Sequence, residues 1–187
     1  MPNPLALKEE IVFKKGIRRC SGRIREGKYL YYLPRGLKDN EVKEITTRIK
    51  ENLSARLKDA YSYKSFFAGR ETGGRSSADL TRMAHQIYTR KYPQVDFHLN
   101  VRFRRQKTVL GTYRQKKNGK VLVYINDHFR NAPDFLLEYI IAHELSHHHY
   151  SGHDKAYYQE LGQLCPGHQK KRDMANRYLL LKEAHIL

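Results

Sequence analysis

Apolar positions along this chain switch between the two-residue period of strands and the three-to-four-residue period of helices, and each switch marks an element. Ile11 to Phe13 and Tyr29 to Leu33 are short runs rich in β-branched and aromatic residues, which predicts the strands of a basic N-terminal hairpin. From about Asn40 to Ala60, Val42, Ile45, Ile49, Leu53 and Leu57 recur at helical spacing with charge on the other faces, so this stripe reads as core. Tyr61 to Ser77 carries Gly69, Gly73 and Gly74 among serines and reads as a loop or hinge between halves. Asp79 through Tyr92 is a second amphipathic helix on Leu80, Met83, Ala84, Ile87 and Tyr88, stopped by Pro93. His85, on that helix, reads as structural.

Three strands are expected next, around Val95 to Phe103, Thr108 to Arg114 and Lys120 to Ile125, with Lys117-Asn118-Gly119 as a hairpin turn. The run Phe135 to Ala142 is apolar on most sides, which suits a helix buried beneath a site. Pro133 fits its first turn, Asn131 or Ala132 its cap, and Asp134 the positive helix end. The helix is expected to run to Tyr150, where Ser151-Gly152 lets the chain turn back. Another follows from about Asp154, read as its cap, to Leu164, and Pro166-Gly167 separates it from a last basic helix. The fold class is therefore α+β: a small antiparallel sheet packed on a buried helix, with an N-terminal hairpin and helices. Residues 1–76 form the hairpin-and-helix part and residues 77–187 the part with the sheet, together one compact unit.

The chemistry concentrates at His143-Glu144-Leu145-Ser146-His147, with His153 six residues further on. Residues four apart share a helix face, so His143 and His147 can aim imidazole nitrogens at one ion. Glu144 lies about 100° round the helix axis, near enough to reach a water beside that ion without being a ligand itself. The turn at Ser151-Gly152 brings His153 back as a third ligand. His148 and His149 point away from the shared face and are expected at the surface or behind the site. With three neutral imidazoles and an open position, Zn2+ would activate a water, and Glu144 would act as general base and hand the proton to the leaving amine. Tyr150, Tyr157 and Tyr158 are near enough in sequence to donate to an oxyanion, though helix packing by its aromatic face is the better account of any one of them.

The segment from His143 through Tyr158 resembles the YgjP-like metallopeptidases, whose pattern is H-E-L-x-H, five residues, then H-S-K-x-F-W. Gly16 to Lys28 is similar to that family's basic opening hairpin, and Leu33-Pro-Arg-Gly-Leu37 to the stretch leading into its first helix. The resemblance implies a zincin-like catalytic part with His143, His147 and His153 on zinc. It departs from the family at Leu110-Gly111-Thr112-Tyr113, where a W-G-S-C element is usual, which marks a divergent relative. A more distant similarity is to the SprT-like proteases, which also carry a Gly-His pair after H-E-x-x-H. The metzincin pattern wants glycine where this chain has Tyr150.

Charge adds a second theme. Lys and Arg number 36 against 19 Asp and Glu, a formal net charge of +17, which favours polyanionic partners. Arg102, Arg104, Arg105, Lys107, Lys116 and Lys117 form the expected nucleic-acid-facing group, with Phe103 and Tyr113 available for stacking. The expected function is a zinc-dependent metallopeptidase. The alternative is a nucleic-acid-associated zinc protein with a structural metal or phosphodiester hydrolase activity. Two cysteines, far apart in sequence, suit a reducing cytoplasm. The N-terminus reads as neither signal peptide nor anchor, and no segment approaches a membrane span.

Overall fold

In the computed structural model, which describes residues 7–94 and 98–187, the first three strands form one sheet. They are β1 (Lys8–Lys14), β2 (Ser21–Arg25) and β3 (Lys28–Pro34), in spatial order β1-β3-β2. The hairpin is made by β2 and β3, not by the segment around Ile11 to Phe13, which instead pairs parallel to β3. The turn explains the choice. Glu26 and Gly27 sit at φ 50° and φ 69°, the left-handed pair that a two-residue hairpin loop requires. The connection from Lys14 to Ser21 is longer and carries β1 to the other side of β3.

Helix α1 (Asp39–Tyr61) lies on this sheet, burying Leu53, Leu57 and Ala60. Gly22 is what lets it approach, since a Cβ there would stand 2.2 Å from the Ile49 Cγ2. The stretch expected to be a loop contains a short helix, α2 (Lys64–Ala68), because Phe66-Phe67 gives it an apolar side: Phe67 is fully buried and meets the Tyr178 ring edge-on at 5.3 Å. These elements belong to one compact unit, Met1–Ala68 with Arg177–Leu187.

The second unit, Gly69–Asn176, opens with α3 (Ser77–Thr89). Its capping box is closed by Ser76 and Asp79, each accepting from the other's backbone N–H at 3.1 Å. The sheet that follows has β4 (Leu99–Arg104), β5 (Gly111–Gln115) and β6 (Val121–Asn126) in the order β4-β6-β5. It is mixed, not antiparallel as expected: β4 runs parallel to β6, and only β5 pairs antiparallel with it. The Lys117-Asn118-Gly119 turn joins β5 to β6, with Gly119 at φ 77°. Val95, Asp96 and Phe97, the start of the first expected strand here, lie outside the described residues.

Helix α4 (Asp134–Ser146) packs on β5 and β6. Leu136, Leu137, Ile140, Ile141 and Leu145 are all fully buried, and each such side chain contributes about 1.5–3 kcal/mol of apolar burial. Its first turn is held by Arg75, which grips the Asp134 carboxylate with both Nε and Nη2 at 3.1 and 2.5 Å. Regular helix ends at Ser146, earlier than Tyr150, and the chain then tightens: the His148 and His149 N–H groups donate three residues back, to Leu145 and Ser146. Helix α5 (Lys155–Leu164) is capped by Asp154, whose Oδ1 accepts from the Tyr157 N–H at 2.9 Å. Helix α6 (His168–Glu183) follows the Pro166-Gly167 break. Among the described residues no helix is long and apolar enough to cross a membrane.

Candidate metal centre

Three imidazoles converge in the second unit. One candidate ligand atom from each of His143, His147 and His153 lies within 4.8 Å of the other two. His143 comes from the last turn of α4, His147 caps that helix in an αR conformation, and His153 returns on the loop before α5. Because His147 keeps helical dihedrals, φ −69° and ψ −7°, the four-residue register that aligns it with His143 survives the early end of the helix.

The Nδ1 atoms of His147 and His143 each meet an oxygen. The His147 Nδ1 lies 2.9 Å from the Tyr150 carbonyl oxygen, which can only accept, so Nδ1 carries the proton and Nε2 is left with its lone pair. At His143, the Tyr157 hydroxyl is 2.6 Å from Nδ1 and donates to the His143 carbonyl at 3.1 Å. With its only hydrogen used there, the hydroxyl receives the Nδ1 proton, and the His143 Nε2 is also a free lone pair. That Nε2 faces the His153 Nε2 at 3.4 Å. Two nitrogens bound tetrahedrally to one ion at about 2.0–2.1 Å stand roughly 3.4 Å apart, so the spacing fits a shared cation. Burial, reinforced by His147 and His153, lowers the His143 pKa to about 4, and burial likewise lowers that of His153. Neutral rings are what a cation needs.

Glu144 is buried on the next position round the helix, 5% exposed, and burial pushes its carboxyl up to about 8. One backbone donor, the Tyr113 N–H on β5, opposes that rise. Beside Tyr113, Gly111 leaves the space the carboxylate occupies: a Cβ on Gly111 would sit 2.6 Å from Oε1 and 2.8 Å from Cγ. The three histidines and Glu144 share a cleft of about 710 Å³ with β5, and Arg172 and Asn176 of α6 also line it.

Every residue expected on the metal thus meets the others. The residues of the expected oxyanion group separate: Tyr157 is buried with its hydroxyl engaged by His143, Tyr150 contributes its carbonyl to His147, and Tyr158 is 40% exposed. His148 and His149 stand outside the converging set, one hydrogen bonded to the Tyr113 hydroxyl at 2.7 Å and the other to that of Tyr88 at 2.9 Å. Gly111, Tyr113, Arg172 and Asn176 are not expected at the site from the sequence, where Tyr113 reads as a residue for stacking on bases. Only Gly111 left a signal, as an isolated glycine inside a strand pattern, which marks close backbone approach.

A family profile described as "YgjP-like, metallopeptidase domain" matches residues 18–178. Among solved structures, the metallopeptidase zymogen of Pyrococcus abyssi abylysin is similar over 56% of this chain and 92% of that one, with 23% identity and a TM-score of 0.41. No curated protein matches.

Proposed function

Since this chain belongs to the YgjP-like metallopeptidase family, we propose that it is a zinc-dependent peptidase, with the ion held by His143, His147 and His153 and Glu144 as general base. The observation that carries this reading is the convergence of three histidine ring nitrogens beside a buried carboxyl group in one cleft. When bound, zinc supplies Lewis acidity to the scissile carbonyl and to the attacking water. Glu144 takes the proton of that water and passes it to the leaving amine. Tyr157 and the Tyr150 carbonyl orient two of the rings, and Arg172 and Asn176 offer donors to the carbonyl oxygen as it gains charge. The substrate backbone is held along β5, the edge strand of the sheet lining the cleft, by strand addition. The two free cysteines suit work in the cytoplasm.

A purely structural metal is less well supported. A carboxyl group buried this deeply with one backbone donor is costly to keep unless it does chemistry. The charge of +17 leaves nucleic acid as a partner that the basic group from Arg102 to Lys117 would meet. The family match supports the peptidase reading and adds nothing to the nucleic-acid one.

Elemental analysis of the purified protein is expected to find about one zinc per chain, and a strong chelator to abolish digestion of casein until zinc is returned. Digestion that survives complete removal of metal overturns the proposal. The third ligand has its own test. His153→Ala is expected to lose metal on dialysis against a weak chelator, while His148→Ala retains it; equal losses would mean that His153 is not the ligand.

A further inference from the structure

Resting on the peptidase reading, we infer that the pocket bordered by Arg104, Lys107 and Arg114 is a subsite for an acidic side chain, which would direct the cleft toward acidic segments of protein substrates. The pocket, about 230 Å³, has no carboxylate among the described residues that line it. Val109 and Thr112 border both it and the metal cleft, so β5 and the loop before it separate the two.

The loop that supplies Lys107 is pinned from below. Asn126, 1% exposed, donates through Nδ2 to the Val109 and Gln106 carbonyls at 3.0 and 3.3 Å, and its N–H donates to the Leu110 carbonyl. Gln106 in turn accepts from the Thr112 hydroxyl at 2.7 Å and donates to the Tyr124 carbonyl. The backbone of such a loop is held in position and need not be ordered when an anion arrives. Register supplies the direction. Thr112 pairs with Tyr124 and shares a strand face with Arg114, opposite the face on which Gly111 and Tyr113 meet Glu144. An extended substrate along β5 therefore sends every second side chain toward the cations. Size favours one carboxylate over a strand of nucleic acid, which needs a track of several phosphates.

The test uses two labelled peptides that differ only in Glu or Gln at the positions flanking the scissile bond. Binding is measured by fluorescence polarisation to Glu144→Gln protein, and cleavage with the wild type. The Glu peptide is expected to bind about tenfold more tightly, the margin shrinking with salt, and Lys107→Glu with Arg114→Glu to reverse the order. Equal binding of both peptides overturns the subsite. So does an unchanged preference in the double variant, including the case in which that variant instead loses affinity for a single-stranded oligonucleotide. A binding preference without any cleavage by the wild type would sink the peptidase reading and leave the subsite standing.

Discussion

Glu144→Gln is expected to lower kcat by about 10²–10⁴-fold while leaving zinc content and the fold intact. Gln keeps the size of the side chain and an oxygen to accept from the Tyr113 N–H, so the contact with β5 is retained. It also removes a group whose burial already disfavours its charged form, so the substitution does not strand a charge. What Gln lacks is the ability to take a proton. Single-turnover hydrolysis, with metal per chain measured on the same sample, separates this from loss of the ion. Unchanged turnover would remove Glu144 from the mechanism; turnover lost together with the metal would mean that the carboxylate supports the ligands instead.

Local rules made the core of the site legible. The four-residue interval of His143 and His147 needs only a helix, and the apolar run Phe135 to Ala142 announced one, so two rings and the neighbouring carboxyl could be placed without tertiary information. Their register does not depend on the helix boundary, because His147, just past Ser146, keeps αR dihedrals while the hydrogen bonds there shorten to three-residue steps. Pairing partners were not legible in the same way. A strand's period says which residues face inward and nothing about its neighbour, so β1 was assigned to a hairpin that a two-residue turn at Glu26-Gly27 had already given to β2. The parallel pairing of β4 with β6 was missed for the same reason. The supporting groups were hardest to foresee. Tyr157 is fourteen residues from His143, and Asn126 some twenty from the carbonyl of Gln106; only the folded chain brings such pairs together.

Gly111→Ala is expected to reduce peptide hydrolysis by about 10²-fold with metal binding preserved, although no atom of Gly111 reacts. The added Cβ would lie 2.6, 2.8 and 3.0 Å from Oε1, Cγ and Cδ of Glu144, inside the distance at which carbon and oxygen atoms can remain. Two of those contacts are to the body of the side chain, so rotating the carboxylate tip relieves only one of them. Either β5 backs away from α4, which pulls the Tyr113 N–H from the carboxylate, or Glu144 swings out of its slot; both displace the base from its substrate. His143 and His147 are spared, since Tyr157 and the Tyr150 carbonyl, neither of them on β5, hold their rings. The measurement is kcat against zinc content. A general base that has merely been moved should leave kcat depressed across the pH range, whereas a shifted pH profile with full rate at one end would mean that Gly111 tunes the acidity of Glu144 and not its position. Wild-type activity in Gly111→Ala would show that the slot is not needed, and that the close fit of β5 against Glu144 is packing alone.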